Sequence, residues 1–171
     1  MSLIKDYTSE EQSLLMQGPR LGAIVVSAAS PGRAADTESE GFAAIVYAMD
    51  SRGEFLDNTL IASILYELDQ LEKSGHQFAA YGKLAAAPDA KAHALDQLGQ
   101  VADLLDRKSD PAEATGYKQW VLNAATAASQ AAKEGGNFFG RGAVTVNDAE
   151  KAALAEIAER LRLEPAQPAA Q

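Results

Sequence analysis

A chain of 171 residues has room for one compact domain, or at most two small ones. Its net charge of −9, with no basic stripe anywhere, argues against a nucleic-acid partner and disfavours anionic membrane surfaces. The absence of cysteine excludes disulfides, thiolate nucleophiles and Cys-ligated zinc.

The hydrophobic content is 47%, but Ala supplies much of it and aromatics only 6%, which predicts helices packed closely on helices. The first helix is announced by Thr8-Ser9-Glu10-Glu11, a capping box in which the Thr8 hydroxyl and the Glu11 carboxylate satisfy each other's backbone amides. It runs to about Gln17, where Gly18-Pro19 breaks or kinks it. Arg20 to Ala29 is nearly all apolar. Its β-branched residues Ile24, Val25 and Val26 suit a strand, but no second strand exists to pair with, so a buried central helix is expected.

Ser30 to Ala35 reads as a loop. Thr37-Glu38-Ser39-Glu40 gives a second capping box, opening a helix through about Met49 with Phe42, Ile45, Val46 and Met49 on one apolar face. After Asp50-Ser51-Arg52-Gly53, a helix beginning near Asp57 or Asn58 carries Ile61, Ile64, Leu65, Leu68 and Leu71 and ends at Ser74-Gly75. His76 to Ala87, with Phe78, Tyr81 and Leu84, is a weaker helical segment. Beyond Pro88-Asp89, Leu95, Leu98, Ala102 and Leu105 form a short seam.

Asp110-Pro111-Ala112-Glu113 starts a long Ala-rich helix to Glu134, faced by one stripe of Tyr117, Val121, Ala124, Ala128 and Ala131 and an adjacent one of Trp120, Ala127 and Ala131, and stopped by Gly135-Gly136. A short extended run, Ala143 to Val146, leads to a last capping box at Asn147-Asp148-Ala149-Glu150. The final apolar face is Ala153, Leu154, Ile157, Ala158 and Leu161. Residues 164–171, with Pro165 and Pro168, read as a disordered tail.

Few residues point to chemistry. His76 and His93 have carboxylates at helical spacing but form no ligand pattern, and read as surface or capping histidines. Asp36, Glu38 and Glu40 are the acids expected near a helix start, without the alternating ligands of a calcium loop. The glycines of 135–142 lack the Gly-Lys-Ser/Thr of a phosphate loop, and no Gly-x-Ser-x-Gly elbow occurs. No catalytic, metal or cofactor site is therefore expected. The pair Phe138-Phe139 between glycines, with Arg141 beside it, is the one candidate interaction surface. Both rings fit equally as plugs over the bundle end.

The blocks Gly116-Tyr117-Lys118-Gln119-Trp120-Val121-Leu122, Ala131-Ala132-Lys133-Glu134-Gly135-Gly136 and Val146-Asn147-Asp148-Ala149-Glu150-Lys151-Ala152-Ala153-Leu154 resemble a family of uncharacterised all-helical bacterial proteins. The opening from Thr8 to Gly18-Pro19 is similar to that family's first helix, which usually has Trp and Ala-Pro where this chain has Gln12 or Ser13 and Gly18-Pro19. The resemblance implies no activity. A looser similarity runs to the tellurite-resistance TerB-like helical fold. Ser27-Ala28-Ala29-Ser30-Pro31-Gly32 replaces its acidic loop, so the likeness implies a fold class and no metal site.

These readings converge on one all-α domain over 1–163, an irregular or orthogonal bundle of about seven or eight helices, with the helix Asp110–Glu134 near its centre. The expected compartment is the cytoplasm, since no apolar run approaches the roughly 20 residues of a membrane span. The expected function is a non-enzymatic interaction or stress-associated protein, a homo-oligomer or the binder of another protein. The alternative is a metal- or small-ligand-binding module, or an enzyme, using carboxylates from separate helices.

Overall fold

The apolar run after Gly18-Pro19 is helical and lies at the middle of the molecule. A computed structural model describes residues 1–30, 34–76, 81–131 and 147–163. Among them are eight α-helices, two short 3-10 turns and no strand. The helices are α1 (Ser9–Met16), α2 (Gly18–Ala29), α3 (Ala34–Asp50), α4 (Thr59–Lys73), α5 (Tyr81–Ala85), α6 (Ala90–Lys108), α7 (Pro111–Ala131) and α8 (Asp148–Arg160). No described helix is long and apolar enough to cross a membrane.

Helix α2 packs on α7, α6, α3 and α8, while α7 packs most extensively on α3 and α2, so the two share the centre. Small residues make this possible. A Cβ at Gly22 would stand 3.1 Å from the Ala125 methyl, and one at Gly18 would run into the Tyr117 hydroxyl, so α2 meets α7 at backbone distance. Around this contact Val25, Leu98, Leu105, Trp120, Val121 and Ile157 are fully buried. The Tyr117 and Trp120 rings meet edge to face, 5.5 Å between centroids. The Tyr117 hydroxyl donates to the Leu15 carbonyl at 2.5 Å, in the last turn of α1.

Both outer capping boxes form as read: Thr8 with Glu11 opens α1, and Asn147 with Glu150 opens α8. The box at Thr37 does not. Helix α3 begins at Ala34, so Thr37 already lies inside it and Glu40 faces the interior, 4% exposed. Within the segment read from His76 to Ala87, the described residues hold helix α5 over Tyr81–Ala85, with Tyr81 buried and Leu84 partly exposed.

Helix α3 turns its apolar face away from the core. Its inward side is Glu40, Gly41, Ala44 and Ala48, all buried. The large apolar residues point out, with Phe42 70%, Ile45 47% and Val46 38% exposed. The physical reason is again distance. An Ala-faced α7 lies against α3, and only a small-residue stripe fits that close.

Phe138, Phe139 and Arg141 lie outside the described residues, as do the extended run 143–146, Phe78 and the tail 164–171.

Candidate functional site

The outward face of α3 is the most unusual surface of the described molecule. Large apolar side chains stand at 42, 45, 46 and 49, with Met49 half buried. Glu38 lies two turns before Ile45 on α3, and Arg52 follows the end of α3 in the 3-10 turn Ser51–Phe55, both exposed. The series 38, 42, 45, 49 advances by four, three and four, the spacing of a seam that packs on another helix. One Glu38 oxygen accepts the Gly82 amide at 3.0 Å, and its charge also faces the Arg20 guanidinium of α2. Arg52 has no ion-pair partner among the described residues.

Directly behind this face is a buried polar chain. The Ser27 hydroxyl of α2 donates to the Glu40 carboxylate, and a hydroxyl has one proton to give. Ser27 must therefore accept from the Tyr81 hydroxyl of α5, 2.8 Å away. Gly41 makes room for this tyrosine, since a Cβ there would come within 2.5 Å of its ring. Burial holds the Glu40 carboxyl above its ordinary value of 4.5. The Ser27 hydrogen bond opposes this, and the nearby charges of Glu150 and Asp36 add to it. Burial likewise raises the Tyr81 phenol. The chain ties α2, α3 and α5 together behind the exposed stripe.

Glu113 of α7 shows the opposite arrangement. Burial alone would raise it, yet hydrogen bonds from the Thr59 hydroxyl and the Ser2 amide (2.8 Å), together with the Met1 ammonium at 3.8 Å, hold it below 4.5. The glutamate read as part of a helix start thus fastens the N-terminal segment and α4 to α7. Asn58 strengthens the joint by capping α4 and donating to the Glu113 carbonyl at 2.9 Å.

Two shallow clefts open elsewhere. One, about 730 Å³, lies between α1 and α6 and is lined by Glu10, Gln17, Gln97, Gln100 and Arg107 among others. Another, about 590 Å³, is bordered by Glu54, Asp57, Asp110 and Glu113. Glu11 in the first, hydrogen-bonded to Lys108, and Glu113 in the second are both held below their ordinary value, the reverse of the raised carboxylate expected of an acid–base site. His76 and His93 are exposed, and among the described residues no group of three His, Cys, Asp or Glu is arranged to hold a metal ion.

Sequence reasoning identified the residues of the α3 face but not their direction. The signal was present in the second stripe, Gly41, Ala44 and Ala48, on the same helix. No family model, curated protein or solved structure matches this chain.

Proposed function

We propose that this is a non-enzymatic association module that makes its contacts through the outward face of α3. One observation carries the reading: Phe42, Ile45 and Val46 form a contiguous exposed apolar stripe on a helix whose other side is fully packed. Such residues scattered singly are ordinary, but together they mark a contact surface. The buried chain Tyr81–Ser27–Glu40 supports it, because it holds the helix rigid from behind. A preorganised face loses less entropy on binding.

The test is a photo-reactive benzoylphenylalanine placed at position 42 in the full chain, compared with the same group at Tyr66, an exposed aromatic on α4. Irradiation in cells is expected to give a protein adduct from position 42 well above that from position 66. Equal yields from both, or no adduct from either, would overturn the reading.

A further inference from the structure

Building on that reading of the α3 face, we infer that its occupant is the α3 face of a second copy of this chain, crossing antiparallel about a two-fold axis near Ile45. The charge order of the stripe is what selects a copy. Glu38 stands at one end, Arg52 stands at the other between the acids Asp50 and Glu54, and the apolar residues between are centred on Ile45. At about 1.5 Å per residue of α-helix, Glu38 lies about 10 Å to one side of it, and Arg52 stands on the other side in the 3-10 turn Ser51–Phe55 that continues α3.

A two-fold axis through Ile45 therefore brings Glu38 of each copy level with Arg52 of the other, and Phe42 beside the partner's Met49. Two ion pairs and a continuous apolar centre result from a single contact, as an isologous interface requires. Parallel pairing would instead set Glu38 against Glu38 and Arg52 against Arg52. Each copy carries a net charge of −9, so attraction between copies has to come from local complementarity of this kind. Arg52 is placed to supply it, exposed and without an ion-pair partner among the described residues.

Area sets the strength. The stripe exposes on the order of 300 Å² of apolar side chain, against about 800 Å² per partner in a standard stable interface. The dimer is accordingly transient and concentration-dependent, and not an obligate one.

Sedimentation equilibrium of the full chain, from micromolar to millimolar, tests this. Wild type is expected to move reversibly from monomer toward dimer. Phe42→Ser should weaken the dimer by roughly tenfold or more. Arg52→Glu and Glu38→Arg should each weaken it by roughly three- to tenfold, since each places like charges together at both ends. An equimolar mixture of those two variants should associate like wild type, because every cross-copy pair is then opposite in sign. Thermal melts of each variant confirm that it is folded.

A wild type that stays monomeric at millimolar concentration overturns the inference. If position 42 still crosslinks another protein in cells, the association reading survives with a different occupant. A dimer indifferent to Phe42→Ser overturns both. A dimer that needs Phe42 but ignores Arg52→Glu, or that the mixture fails to restore, overturns the antiparallel register.

Discussion

The two sides of α3 invert the usual order of a surface helix. Inward are a glycine, two alanines and a glutamate; outward are a phenylalanine, an isoleucine and a valine. An amphipathic helix ordinarily buries its large apolar residues because each is worth about 1.5–3 kcal/mol removed from water. Here the inward side is set by how closely α7 and α2 approach, and the large residues remain unspent on the outside. A helix that is sufficiently held by small-residue packing and a polar chain leaves its apolar face free for another molecule.

Substitutions that break the inward side should have the largest effect. Trp120 lies beneath the C-terminal end of α3, its indole N–H donating to the Ser51 hydroxyl at 3.0 Å and, more weakly, to the Ala48 carbonyl at 3.3 Å. Trp120→Ala is expected to lower unfolding free energy by about 3–5 kcal/mol in urea titrations. Gly41→Ala should cost about 1–3 kcal/mol in the same titration, because Tyr81 must shift away from Ser27 to admit the new methyl.

Protonation distinguishes the two buried glutamates. Glu40 has a raised folded value, so it contributes stability below its unfolded value near 4.5 that is lost as pH rises through the folded one. Melting temperatures of Glu40→Gln should therefore climb relative to wild type as pH is raised from 4 to 7.5. Glu113 has a depressed folded value, so its contribution is present above 4.5 and is lost as pH falls through the folded value. Glu113→Gln should therefore fall relative to wild type as pH is raised through the same range. Parallel trends in the two variants would contradict the opposite environments.

The outward side should matter least for stability. Phe42→Ser is expected to shift unfolding free energy by no more than about 0.5 kcal/mol while weakening association. A loss of several kcal/mol would mean that Phe42 is part of the core and that the comparison of the two sides fails.

What could be read from the sequence was local. The boxes at Thr8 and Asn147 form because all their partners lie within four residues. The seam on α6 and the apolar run of α2 follow from periodicity and length alone. The Thr37 pattern misled because the same spacing also fits inside a helix. The role of Glu40 depends on Ser27, 13 residues away, and on Tyr81, which lies 54 residues from that serine. The small stripe Gly41, Ala44 and Ala48 that marks the inward side of α3 was legible within α3, but the Ala-rich face of α7 that it meets was not. Glu113 was legible as an acid in a first helical turn, but its partners Ser2 and Thr59 were not, being brought to it only by the fold.

The most direct measurement is a dilution series followed by amide-resolved NMR, from millimolar to low micromolar. The expected result is concentration-dependent shifts confined to Glu38, Phe42, Ile45, Val46, Met49, Arg52 and their immediate neighbours, with α4 and α6 unchanged. Spectra that do not change with concentration, or changes centred on another surface, would contradict self-association through α3.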